Sequence, residues 1–264
     1  MIEDGRSAFR LLHTAGTFVL PNPWDVPSAR LLEHLGFPAL ATTSSGFAAS
    51  LGRGDQQVTR DELVAHVATL TAAVRVPVSV DAERGYAEDP AGVAETVGML
   101  AEAGASGVSI EDYDPATGRI DPVEVAAERI AAAASVCGRY GMVLTGRAEN
   151  HIYGITDLRD TIARLTAYRD AGAACLYAPG LADLDDIARV VGEVGAAVNV
   201  LALRNGPTVP RLAEAGVRRV STGGGLAWAA YGALVGAATE LRDSGSSTYL
   251  DRALPSQLRD AAFG

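Results

Sequence analysis

Asp81 and Glu83, in the stretch PVSVDAERGYAED (Pro77–Asp89), are two carboxylates whose spacing points to chemistry. At i, i+2 in an extended chain both side chains point the same way. Acids that close repel unless one is protonated or both share a cation. A hard ion such as Mg²⁺, held by oxygen ligands and water, resolves the conflict. Two solvated acids in a strand-to-helix loop would be the plain alternative. The local setting fits a site: Val76–Val80 is an apolar, β-branched run suited to a buried parallel strand. Gly85 lets the chain turn away, and Asp89-Pro90 offers an N-cap and a first helical residue.

Three further stretches carry residues of the same kind. Glu111 follows the strand pattern Gly107–Ile110, and Arg147 follows Met142–Thr145. A guanidinium there can fork onto a carboxylate or a phosphoryl group. Thr43-Ser44-Ser45-Gly46, after the strand pattern Ala39–Thr43, reads as a hydroxyl- and Gly-rich loop whose backbone N–H groups can approach an anion. Leu51–Gln57 (LGRGDQQ) is polar and Gly-rich and reads as a mobile loop.

The elements that must position these residues alternate regularly. Strands are expected at 17–20, 39–43, 76–80, 107–110, 142–145, 173–177, 197–201 and 219–221. Helices fill the intervals, among them one opened by the capping box at Thr59–Glu62 and one opened by Asp121-Pro122. An amphipathic helix at 3–15 should bury Phe9, Leu11 and Leu12. Eight such units with no linker make a single (β/α)₈ TIM-type barrel over 1–264, near the usual ~250 residues. An N-terminal helix at about 1–16 and a C-terminal helical extension at about 243–264 complete it. A doubly wound sheet would need a Gly-rich turn after its first strand, where this chain has PNPWD. In a barrel the active site lies past the C-terminal strand ends, so Ser44, Ser45, Asp81, Glu83, Glu111 and Arg147 are expected at one mouth.

Composition excludes several functions. All 22 basic residues are arginine, which rules out an internal Schiff-base lysine, a pyridoxal phosphate anchor and a Walker loop. The net charge of −10 argues against nucleic acid as a partner. No apolar run approaches the roughly 20 residues of a membrane span. The N-terminal stretch lacks a signal-peptide pattern, and Cys137 and Cys175 are isolated in apolar settings. A cytoplasmic protein with reduced thiols is the expectation.

The order TTSSGFAASLGRGD, DAERGY (Asp81–Tyr86), SIED (Ser109–Asp112) and GRAEN (Gly146–Asn150) resembles the isocitrate lyase/phosphoenolpyruvate mutase superfamily, from about Phe18 to Ala227. The resemblance implies Mg²⁺, with Mn²⁺ as a substitute, held directly by Asp81 and mainly through water by Glu83 and Glu111. It implies that Arg147 anchors the substrate, that Ser44, Ser45 and Gly46 take a substrate carboxylate, and that Asp55 is the acid on a gating loop. It further implies a homo-oligomer, dimer or tetramer, with the C-terminal helix exchanged between subunits. Two departures stand out. Glu83 replaces the commoner Asp, and the stretch after IED, YDPATGRID, lacks the Lys-Lys-Cys-Gly-His loop of the isocitrate lyases. The group completing the reaction is therefore sought among Tyr113 first, then Asp114, Thr117, Arg119, His151 and Arg204. The implied activity is a Mg²⁺-dependent lyase that cleaves a C–C bond of a small 2-oxo acid through an enolate, decarboxylation being the least demanding form. P–C chemistry on a phosphono acid and a non-catalytic 2-oxo acid-binding protein are the alternatives.

Overall fold

A computed structural model describes residues 2–264. The eight expected strands form one parallel sheet from β1 (Phe18–Leu20), β2 (Leu40–Ala41), β3 (Val78–Asp81), β4 (Gly107–Glu111), β7 (Val143–Arg147), β8 (Cys175–Tyr177), β9 (Ala197–Leu201) and β10 (Arg219–Ser221). Their order is β1-β10-β9-β8-β7-β4-β3-β2. The seam between β2 and β1 is bridged by Ala41 N–H donating to the Pro21 carbonyl at 3.0 Å. Asn22 Nδ2 adds a second bridge to the Thr42 carbonyl at 2.7 Å. The sheet is thus a (β/α)₈ barrel.

Strand alternation sorts the residues into two layers. Val80, Val108, Leu144, Leu176 and Val198 pack outward against helix residues such as Val97, Leu100, Ile130 and Leu165. Smaller or polar residues, among them Ser79, Thr145, Cys175 and Asn199, fill the barrel interior. The first helix, α1 (Ile2–Leu12), covers the N-terminal end of the barrel. Its Phe9 is fully buried with Phe18, Val143 and Cys175. Gly107 is required there, since a Cβ would come within 2.7 Å of the Phe9 ring and 2.8 Å of the Val143 carbonyl.

Outer helices follow in sequence: α2 (Val26–His34), α3 (Ser44–Ser50), α4 (Arg60–Ala73), α5 (Pro90–Glu102), α6 (Val123–Tyr140), α7 (Leu158–Asp170), α8 (Leu184–Val194), α9 (Val209–Glu214), α10 (Gly225–Ser244) and α11 (Ser256–Phe263). The Thr59–Glu62 capping box is formed, and Asp89 caps α5 through Gly92 N–H. Such caps contribute about 1 kcal/mol each.

Four expectations need correction. Leu11 is 67% exposed, because α1 turns Arg6 and Phe9 inward and leaves Leu11 on its outer side. Thr43–Gly46 is not a loop: Thr43 caps α3, and Ser44–Gly46 are its first turn. Asp121 does not cap α6; its carboxylate is drawn to Arg84 instead, at 2.8 and 3.0 Å. The stretch 114–121, whose sequence reads as a loop, pairs in part as a hairpin, β5 (Tyr113–Asp114) with β6 (Arg119–Ile120).

The C-terminal region departs from a closed shell of helices. Only Ala227 of α10 is buried, while Trp228, Leu234, Val235 and Leu241 are all at least half exposed. This helix carries no charge before Glu240. A helix apolar on every side is stable only when something covers it. Beyond it, a 3₁₀ turn (Thr248–Arg252) leads to α11, which lies against α2 of the same chain and receives a hydrogen bond from Arg30 Nη1 to the Phe263 carbonyl at 3.5 Å. No helix among the described residues is long and apolar enough to cross a membrane.

Candidate active site

The C-terminal strand ends bring the sequence-derived acids together. Asp81 ends β3, Glu111 ends β4 and Arg147 ends β7. Arg147 Nη1 lies 3.1 Å from Asp81 Oδ1 and 3.2 Å from Glu111 Oε2, while its Nε donates to Glu149 Oε1. The guanidinium also lies over the Tyr177 ring, 5.4 Å from its centroid. Burial opposes the charge on Arg147, but Glu149, Glu111 and Asp81 outweigh it and hold its pKa well above the ordinary value. Asp81 Oδ2 additionally accepts Ser44 N–H at 3.2 Å, tying β3 to α3.

Glu83 is placed by an unusual turn. Glu83, Gly85 and Tyr86 have φ of 47°, 92° and 54°, so two residues with side chains occupy the left-handed region, each at a cost of about 1 kcal/mol or more. Arg129, almost fully buried in α6, holds this turn by donating to the carbonyls of Arg84, Ala87 and Glu88. The Glu83 carboxylate is buried, and its Oε1 has no hydrogen-bond partner. Burial, followed by the charge of Asp81, pushes its pKa up to about 8. Glu111 is likewise raised, first by burial, despite Arg147.

Four acids thus crowd one guanidinium. Among the described residues no three His, Cys, Asp or Glu side chains form a ready-made metal cage. The orphaned Glu83 oxygen and the excess of carboxylates nevertheless suit a cation that keeps much of its shell as water, as Mg²⁺ does. Asp81, Glu83 and Glu111 are the residues that would hold it.

The folded pKa of Glu83 lies above its unfolded value, so the folded state binds the extra proton. The stability it contributes is full below about pH 4.5 and is lost as pH rises toward 8. The melting temperature of the metal-free protein is expected to fall from pH 6 to 8.5, and Glu83→Gln should flatten that slope. Parallel slopes for the two proteins in a pH series of thermal melts would refute the assignment.

The loop 51–57 lies over this cluster. Asp55 borders the cavity and hydrogen-bonds Ser44, and burial, then Asp81, raise its pKa. Gln56, with φ of 63°, donates from Nε2 to Glu111 Oε1 at 3.0 Å. Arg53 fixes the loop to α4 through Glu62 at 2.8 Å. No local sequence pattern singles out Gln56. Glu149 was signalled only by standing two residues after Arg147.

The other expected residues divide between the cavity wall and its surroundings. Ser44 and Ser45 line the cavity, and the Ser45 hydroxyl accepts Trp228 Nε1–H at 3.2 Å. Gly46 packs behind them, where a Cβ would approach Thr43 Cγ2 at 2.6 Å and Trp24 Cβ at 3.0 Å. Tyr113 is not among the cavity residues; it stacks on Tyr153 with centroids 3.9 Å apart. Asp114 accepts the Thr117 hydroxyl at 3.1 Å, and His151 pairs with Thr161 at 2.9 Å. Arg119 and Arg204 are exposed.

Comparison with known proteins identifies the family. The family model for phosphoenolpyruvate phosphomutase matches residues 9–242. The chain belongs to that family. A Burkholderia cenocepacia J2315 protein crystallised as a candidate lyase/mutase is 48% identical, with a TM-score of 0.95 over 100% of this chain and 96% of that one. Oxaloacetate decarboxylase of Rhodopseudomonas palustris (strain TIE-1) is 35% identical over 188 residues, spanning 68% of this chain and 64% of the decarboxylase. The structure of oxaloacetate acetylhydrolase with its product oxalate superposes with a TM-score of 0.88 at 25% identity, covering 98% of this chain and 94% of that one.

Proposed function

We propose that this family member is a Mg²⁺-dependent carbon–carbon lyase of small 2-oxo acids, with decarboxylation of an oxaloacetate-type diacid as its reaction. The observation that carries the reading is the meeting of Asp81, Glu111 and Arg147 at the barrel mouth, beneath a loop that brings in Asp55. The similarity to oxaloacetate decarboxylase and oxaloacetate acetylhydrolase supports the substrate class. Mg²⁺ held by Asp81, with Glu83 and Glu111 acting through water, would supply a Lewis acid for the oxo oxygen.

The chain's own residues do the rest. Ser44 and Ser45 orient the substrate carboxylate. When the C–C bond to the departing carboxylate breaks, its electron pair moves toward the oxo carbon and CO₂ leaves. Arg147 stabilises the negative charge that grows on the oxo oxygen. Asp55, whose pKa is raised first by burial, returns a proton to the carbon that lost CO₂. The loop that carries Asp55 excludes water from the mouth.

A ¹³C NMR screen of 2-oxo diacids with Mg²⁺ tests this. Oxaloacetate loss well above the rate with metal alone, giving pyruvate, is expected, and a rate equal to metal alone would sink the proposal. The family model favours a second reading, P–C chemistry. Offered phosphonopyruvate, an enzyme of that kind would release phosphate or form phosphoenolpyruvate.

A homo-oligomer is part of the same proposal, because α10 needs a cover. Val235 is 64% exposed, and Val235→Arg on that face is expected to convert the oligomer to monomer. Sedimentation velocity checks this, and an unchanged monomeric wild type would count against it.

A further inference from the structure

Arg219 opens β10 with its side chain inside the barrel, and it is only 4% exposed. Strand register places it in a row with Glu111, Arg147, Tyr177 and Asn199. The row runs from the last residues of β4, β7 and β8 to the first residue of β10. It therefore winds down from the mouth into the barrel, as strand tilt requires.

At the lower end the guanidinium finds only neutral acceptors. Nε donates to Asn199 Oδ1 at 2.9 Å, Nη2 to Thr145 Oγ1 at 3.0 Å, and Nη1 lies 3.3 Å from His13 Nε2. His13 Nδ1 is 2.8 Å from the Phe9 carbonyl, which can only accept, so that nitrogen carries the proton and Nε2 is the lone pair facing Arg219. Burial and then Arg219 itself hold His13 down at a pKa of about 3, so it stays neutral. Guanidinium has five N–H donors, and these contacts leave two over. No carboxylate is among the partners of Arg219 in the described residues.

A buried cation without a counter-charge is costly, and such groups are ordinarily paired. Above this one is a cavity of about 190 Å³, bordered by Asp81 and Arg147 at the mouth, by Ser79, Ser109 and Ser221 below them, and by Arg219. Small hydroxyl side chains leave the middle of the barrel open between the two guanidinium groups. Arg147 is already engaged by three acids, so it is poorly placed to balance both ends of a diacid.

We propose that Arg219 is the floor of the substrate pocket, and that the shaft between it and Asp81 takes the second carboxylate of a four- or five-carbon diacid. This inference rests on the mouth being a Mg²⁺-assisted 2-oxo acid site. It makes Arg219 the residue that selects diacids over monoacids of equal length.

Calorimetric titration with malate and 2-hydroxybutyrate in Mg²⁺ tests it, since the two differ only in a distal carboxylate against a methyl group. Wild type is expected to bind malate at least about 30-fold more tightly, the scale of a charge-assisted hydrogen-bonded pair. In Arg219→Met that advantage should shrink to within about threefold, with 2-hydroxybutyrate affinity unchanged. Ser109→Val narrows the shaft but leaves Arg219 in place; it should also lose the malate advantage, and it decides the matter alone if Arg219→Met does not fold. A folded Arg219→Met that keeps the preference, or a wild type that binds both acids equally, overturns the role of Arg219 only. A wild type that binds neither acid in Mg²⁺ overturns the reading of the mouth and this inference with it.

Discussion

Lysine in place of Arg147 is expected to lower kcat by about 10²-fold or more, the scale of losing a preorganised donor, while Mg²⁺ affinity moves little. The guanidinium serves Asp81 at 3.1 Å, Glu111 at 3.2 Å and Glu149 together, and it rests on Tyr177. An ammonium group keeps the charge but not the planar fork, so it cannot hold these directions at once. Because the contacts are buried, the melting temperature should fall as well. The deciding quantity is kcat per folded molecule, measured well below the melting point on the acid that the product screen identifies. Near-normal turnover with only a lower melting temperature would make Arg147 a purely structural ion-pair residue.

Alanine in place of Asp81 should weaken Mg²⁺ binding by at least about 10²-fold with the fold intact, because a dedicated inner ligand is lost. The fold survives this change for a local reason. Arg147 would still be paired with Glu111 and Glu149, so no buried charge is stranded. Asp81 also raises the pKa of both Glu83 and Asp55. Its removal relieves that repulsion, so the metal-free variant should melt no lower than wild type. Calorimetry with Mg²⁺ and a thermal melt of the same preparation measure both quantities. Wild-type metal affinity in this variant would remove Asp81 from the site.

Arg147 and Asp81 were legible as functional residues in the sequence because barrel geometry forces strand ends onto one mouth. Periodicity and punctuation alone gave the eight strands, the caps at Thr59 and Asp89, and the acids at the strand ends. Those signals are local: β-branched runs, side-chain caps and Gly or Pro at fixed offsets act over a few residues. The absence of lysine was equally decisive, since it removes whole reaction classes whatever the fold.

Tertiary structure decided what depends on contacts between distant segments. The Asp121-Pro122 pattern marks a cap, but Asp121 pairs with Arg84, 37 residues away, because two charge-assisted hydrogen bonds from a half-buried guanidinium outcompete a helix end for a carboxylate. The composition of Ser44–Gly46 suits a loop, yet in the fold these residues are the first turn of α3, with Asp81 fixing Ser44 from the next strand. Gln56 reaches Glu111 across 55 residues, a pairing no local pattern encodes. The apolar sequence of α10 marks a helix that should be covered, but only the folded chain shows that its own barrel leaves it bare. Arg219 is the sharpest case. The sequence places an arginine at the start of a buried strand, and barrel closure alone puts its charge among neutral acceptors, below a cavity that begins at Asp81.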